Sequence, residues 1–133
     1  MTPVFADSFY FIALTNPRDA AHERAIAWTR TSANRLLTTS WVVTEFANYM
    51  CDPINRQVFN RMLHDLRGRS DVEIVPPEVD LWNEGLARFE ARPDKAWSLT
   101  DCISFIVMER AGVSEALTGD HHFEQAGFVA LLK

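Results

Sequence analysis

The sequence predicts an α/β fold, a three-layer α/β/α sandwich around a short parallel central sheet. Three observations lead there. Short apolar runs alternate with helical stretches along the whole chain, each run is separated from the next by a helix long enough to cross over, and 133 residues suffice for a single domain spanning 1–133. Crossovers of this kind are right-handed and leave a parallel sheet covered on both faces.

The first strand is Val4-Phe5-Ala6, ending at Asp7, and residues 8–14 continue as an apolar helix that Asn16-Pro17 breaks. Asp19 reads as the cap of a helix over 19–31, with Ala21, Ala25 and Trp28 on one face. Residues 35–38 form a second strand, and Ser40 caps a helix to about Met50 that carries Glu45. Asp52-Pro53 opens the clearest helix, closed by Gly68, with Ile54, Val58, Met62 and Leu66 at four-residue spacing and Phe59 and Leu63 widening the stripe. Residues 72–75 are a third strand, stopped by Pro76-Pro77. The helix over 78–91 is expected to turn Val79, Trp82, Leu86 and Phe89 inward. After the Arg92-Pro93-Asp94 loop, Ser98 caps a helix to about Ala111 that is apolar nearly all round, hence central. Residues 115–118 and 128–132 complete the sheet, and no repeat or low-complexity segment interrupts the order.

Composition is that of an ordinary globular chain, with 47% apolar and 23% charged residues. No apolar run is long enough to span a bilayer, and the first residues lack a basic leader and cleavage site, so a cytoplasmic protein is expected. Cys51 and Cys102 sit in apolar helical patterns and are expected as buried free thiols. The net charge of −5 lacks the basic excess of a non-catalytic nucleic-acid-binding module. It weighs less against a nuclease, whose concentrated acids a divalent cation would neutralise.

Four acids stand out by position. Asp7 and Asp120 directly follow strands, and ligands of an open parallel sheet lie at the carboxyl ends of its strands. Glu45 lies about one turn into a helix among Val42, Val43, Phe46 and Ala47, and Asp101 opens the most apolar helix beside Leu99, Cys102 and Ile103. Ionised groups are rarely buried without a partner, and no Lys or Arg flanks any of the four. Two carboxylates about 5 Å apart repel by roughly 3 kcal/mol at an effective dielectric near 20. A hard divalent cation, Mg²⁺ or Mn²⁺, relieves that repulsion with oxygen ligands. Each acid also has a purely structural reading: Asp7 and Asp120 as helix caps, Asp101 in a capping box with Ser98, Glu45 as a partly exposed helical residue.

The segments VFADSFYFIAL, LLTTSWVVTEFANYM, WSLTDCISFIVMERAG and ALTGDHHFEQAGF, taken in order, resemble the PIN-domain ribonucleases, and among them the VapC-type toxins of prokaryotic toxin–antitoxin pairs. The resemblance covers essentially the whole chain. It implies the same sandwich fold, a Mg²⁺ or Mn²⁺ site on Asp7, Glu45, Asp101 and Asp120, and hydrolysis of phosphodiester bonds in RNA by cation-activated water. It further implies a cognate antitoxin and a homodimer built through helices, for which the stripes over 54–66 and 79–89 are candidates. Asp120 is the acid whose place varies most in the superfamily. Ser8 and Thr118 are expected to hydrogen-bond the cation's shell, although many relatives carry the first hydroxyl one place later.

Other residues are weighed against that site. His121 and His122, beside Asp120, offer candidate metal ligands, but adjacent loop residues are expected to point apart, so that one touches RNA and neither need bind the ion. Among the tryptophans, Trp97 is the rim candidate for base stacking, and Arg18, Arg35, Arg92 and Lys95 are candidates for phosphate contact. A haloacid-dehalogenase-type phosphotransferase would need a second Asp where Phe9 stands. The remaining alternatives are a PIN-fold RNA-processing nuclease with no toxin role and a catalytically silent PIN scaffold that only binds a partner.

Overall fold

The computed structural model describes residues 2–133. Along the chain run β1 (Val4–Ala6), α1 (Ser8–Thr15), α2 (His22–Thr31), β2 (Leu36–Thr39), α3 (Ser40–Tyr49), α4 (Pro53–Gly68), β3 (Val72–Val75), α5 (Val79–Ala91), α6 (Leu99–Ala111), β4 (Glu115–Leu117), α7 (His121–Gln125) and β5 (Val129–Ala130). The five strands form one parallel sheet in the order β3-β2-β1-β4-β5, flanked by helices. β1 is buried at every position, as a central strand covered on both faces must be. Chain order reverses between β1 and β4: the first half builds outward on one side of β1 and the second half on the other. Such a switch point opens a crevice at the strand ends. The register Phe5↔Ala116 and Ala6↔Leu117 puts the residues after these strands, Asp7 and Thr118, side by side.

α6 is the central helix, with everything from Asp101 to Met108 buried. Phe105 packs edge-on against Trp97 and Phe123, and Gly112, in the left-handed conformation at φ 67°, closes the helix. Ser104, three residues after Asp101, is buried with its hydroxyl unpaired.

Several elements depart from the sequence expectation. α2 starts at His22, because Asp19 spends its carboxylate on the Ala21 amide in a turn just before it (2.8 Å). Thr39, not Ser40, caps α3, accepting from the Val42 amide at 3.1 Å, while Ser40 is already helical and donates to the Val75 carbonyl. Cys102 is buried, but Cys51 falls past the end of α3 and is exposed; both thiols are free. On α4 the four-residue row drifts around the axis, since four residues overshoot one turn. Its C-terminal member Leu66 is buried and its N-terminal member Ile54 is 84% exposed.

The largest correction is α5. Val79, Trp82 and Phe89 face solvent, and the helix packs through Leu81 and Gly85 instead. A Cβ on Gly85 would lie 2.3 Å from Cγ1 of Ile103 on α6, so the missing side chain is what brings the two helices together. Salt bridges Arg88–Glu109 and Arg110–Glu84 flank this seam at the surface.

Candidate active site

The crevice at the switch point is lined by Asp7, Ser8, Phe9, Ile12, Glu45, Ala96, Ser98, Asp101, Asp120 and His122, and has a volume of about 350 Å³. All the acids singled out in the sequence therefore meet in one place. Each arrives by a different route. Asp7 terminates β1, Glu45 projects from α3, Asp101 sits in the first turn of α6, and Asp120 caps α7 after β4.

Asp7 is 5% exposed, and its Oδ2 accepts from the Thr118 hydroxyl at 2.9 Å. That hydroxyl also accepts from the Asp120 amide at 3.1 Å, so one threonine ties two of the acids together. Burial, reinforced by the negative charge of Asp101 and less by that of Glu45, pushes the Asp7 carboxyl up to about 7 despite the Thr118 bond. Glu45 accepts from the Ser8 hydroxyl. Ser8 and Thr118 thus bond the carboxylates themselves, more directly than the expected role in a cation's outer shell. Beneath them, Thr38 clamps β2 to the Ala6 carbonyl at 2.7 Å.

Asp101 satisfies both of its readings. It completes the capping box of α6, accepting from the Ser98 amide on Oδ2 (3.1 Å) while its own amide donates to Ser98 Oγ (3.0 Å), and it also lines the crevice. Burial raises its carboxyl above the usual range, with the Asp120 charge adding to the effect; the Ser98 amide and His122 work against it. Asp120 likewise caps α7 through the His122 amide at 2.9 Å. Asp7 occupies the cap position of α1 but makes no side-chain cap bond there.

The histidines depart from the expectation that they point apart, and Gly119 is a residue that the sequence did not single out. His121 and His122 begin α7, and their rings lie together, with centroids 4.4 Å apart. Nδ1 of His122 lies 3.2 Å from Asp101 Oδ2 and 3.4 Å from Asp120 Oδ1; Nδ1 of His121 is 3.5 Å from the same Asp120 oxygen. The helical start at His121, readable from the Asp120 cap, was the available signal that these side chains turn back toward that acid. At Gly119 a Cβ would lie 2.6 Å from Phe9 Cζ, so a side chain there would have to push the Phe9 ring of α1 aside.

Trp97 is not a rim residue. It is 6% exposed, donates from Nε1 to Gln125 at 3.0 Å and packs edge-to-face with Phe105. Arg92 lies over the Trp97 ring and pairs with Asp94. Arg35 precedes β2 and so belongs to the opposite end of the strands from the crevice. Lys95 remains in the loop whose next residues, Ala96 and Ser98, line the crevice.

No Lys or Arg among the described residues forms a salt bridge with Asp7, Glu45, Asp101 or Asp120; the basic side chains beside these acids are the two histidines. A crowd of carboxylates without lysine or arginine, two of which (Asp7 and Asp101) are pushed above the usual range, is the donor set that a divalent cation fits. Among the described residues no helix is long and apolar enough to cross a membrane.

Two solved structures share the architecture. VapC20 of Mycobacterium tuberculosis, a sarcin–ricin loop cleaving toxin, superposes with a TM-score of 0.86 at 23% identity, over 95% of this chain and 96% of that one. FitAcB from Neisseria gonorrhoeae superposes with a TM-score of 0.65 at 16% identity, over 96% and 94% of the two chains. At these identities the likeness is one of fold. No curated protein matches the sequence. The PIN-domain family model matches residues 4–129, so the chain belongs to the PIN-domain family, whose members are nucleases.

Proposed function

We propose that the chain is a Mg²⁺- or Mn²⁺-dependent endoribonuclease that hydrolyses phosphodiester bonds in single-stranded or structured RNA, acting as the toxin of a VapBC-type pair in the cytoplasm. Residues 1–133 act as one PIN-like domain. The observation that carries this reading is the convergence of Asp7, Glu45, Asp101 and Asp120 on one crevice without lysine or arginine to neutralise them.

These four carboxylates would hold the cation. Such an ion supplies positive charge for the phosphate oxygens and lowers the pKa of water. The chain's own groups prepare the site. Thr118 and Ser8 fix Asp7 and Glu45, and the α6 capping box and the α7 cap fix Asp101 and Asp120, so that the acids are pre-aimed before substrate arrives. With no cation bound, Asp7 holds a proton near neutral pH, and cation binding would release it to solvent. No nucleophilic side chain is needed.

The assay is cleavage of end-labelled RNA in Mg²⁺, in Mn²⁺ and in EDTA. Cleavage that depends on the added ion supports the reading; cleavage indifferent to EDTA overturns it. The toxin role is tested by inducing the chain in cells with and without a co-expressed candidate antitoxin, where growth arrest relieved by the antitoxin is expected. The likeness to VapC20, a sarcin–ricin loop cleaving toxin, makes the sarcin–ricin loop the first substrate to try. A homodimer through the exposed apolar residues Val79, Trp82 and Phe89 of α5 and Ile54 and Val58 of α4 completes the proposal, and light scattering after size exclusion checks it.

A further inference from the structure

We propose that His122 is a nitrogen ligand of the cation held by Asp101 and Asp120, giving this end of the crevice a preference for manganese over magnesium. The inference rests on the cation site argued above and adds to it a residue outside the four acids.

Nδ1 of His122 hydrogen-bonds Asp101 Oδ2 at 3.2 Å, and the same arrangement is compatible with shared ligation of one ion. Nδ1 of His122 carries at most one hydrogen, yet faces two carboxylate oxygens, Asp101 Oδ2 at 3.2 Å and Asp120 Oδ1 at 3.4 Å. Both of these oxygens already have donors in the Ser98 and His122 amides. Conversely, ligand atoms about 2.1 Å from one octahedral ion stand about 3 Å from their neighbours, close to the separations observed here. Asp120, His121 and His122 together offer donor atoms within 4.8 Å of one another. His122 is held inside the crevice wall, with its side chain 19% exposed, whereas His121 is 64% exposed and touches only Asp120 among the acids.

An all-oxygen site suits magnesium, whereas an imidazole in the set favours the later divalent ions. The test uses the full chain loaded with Mn²⁺. Electron spin-echo modulation should show coupling to ¹⁴N in the wild type and in His121→Ala, and none in His122→Ala. Calorimetry should show His122→Ala binding Mn²⁺ about ten- to a hundredfold more weakly, with Mg²⁺ affinity changed less than about threefold. If the alanine variant does not fold, His122→Gln, which keeps a polar group of similar reach, takes its place in both measurements. Absence of ¹⁴N coupling in the wild type, its survival without His122, or equal losses for both ions overturns the proposal. If Mn²⁺ binds, needs Asp7 and Asp101, and shows no nitrogen, only the role of His122 fails. If no Mn²⁺ binds at the crevice at all, the acidic-site reading fails with it.

Discussion

The two sides of the crevice hold their acids by different means. On one side, Asp7 and Glu45 rely on single side-chain hydroxyls, Thr118 and Ser8. On the other, Asp101 and Asp120 rest on backbone amides at helix N-termini, with His122 between them. A helix N-terminus brings oriented N–H groups and the positive end of the macrodipole, which favour an ionised carboxylate. One hydroxyl cannot offset the burial of a charge, and Asp7 is accordingly the acid driven up to about 7. Asp7 is therefore the acid that most needs a cation, although burial pushes Asp101 on the amide side upward as well.

The largest expected effect tests whether the amide side is anything beyond a pair of caps. Asp101→Asn retains an oxygen able to accept from the Ser98 amide, so the capping box and the fold survive. It removes the charge that a cation would need. RNA cleavage should fall by more than the ten- to hundredfold typical of losing an outer-shell partner, with an unchanged circular dichroism spectrum. Full activity in this folded variant would reduce Asp101 to a structural cap.

Much of this site was legible in the sequence because its acids sit where topology must bring them together. Asp7 and Asp120 follow strands that turn out to be neighbours, and Asp101 opens a helix whose apolar surroundings made an acid conspicuous beside its capping-box reading. What stayed hidden depended on close approach. Gly85 has no side chain to register in any hydrophobic pattern, yet it decides which face of α5 is buried, and Trp82 and Phe89 end up outside because of it. His122 is similar. Its role depends on how α7 is turned against α6, a relation between elements far apart in the chain that local spacing does not encode.

Next in size is the titration of Asp7. Between about pH 4 and 7 the folded, cation-free chain keeps a proton on Asp7 that the unfolded chain has released, since the ordinary value is 3.8. Stability therefore falls as pH rises through that window. The total loss should be roughly 2–4 kcal/mol, measured by urea unfolding at pH 5 and 7.5 in EDTA. Asp7→Asn mimics the protonated acid, so it should gain about that amount at pH 7.5, lose the pH slope and cleave no RNA. Added Mg²⁺ should stabilise the wild type and not this variant. A wild type equally stable at both pH values would mean that the hydroxyl side tolerates its charge.

Thr118→Val probes the one residue that joins the two sides. It removes the donor to Asp7 Oδ2 and the acceptor of the Asp120 amide at nearly constant volume. A loss of about 1–3 kcal/mol is expected from a buried hydrogen bond to a charged group. It should be greater at pH 7.5 than at pH 5, because the ionised carboxylate is the stronger acceptor. A pH-independent loss would assign the threonine's main contribution to the Asp120 amide and not to Asp7.

Ser98→Ala is the matching change on the amide side and should be the mildest. The variant loses the hydroxyl that accepts from the Asp101 amide, a cap worth about 1 kcal/mol. Yet the bond that positions the Asp101 carboxylate comes from the backbone N–H of residue 98, which alanine keeps. Stability should therefore drop by about 1 kcal/mol in urea unfolding, while cleavage stays within a few-fold of the wild type, because the carboxylate has not moved. Ser98 lines the crevice, so a large loss of activity without a matching loss of stability would mean that its hydroxyl contacts the substrate. In that case backbone amides would not be enough to hold this side of the site, and the contrast with the hydroxyl side would weaken.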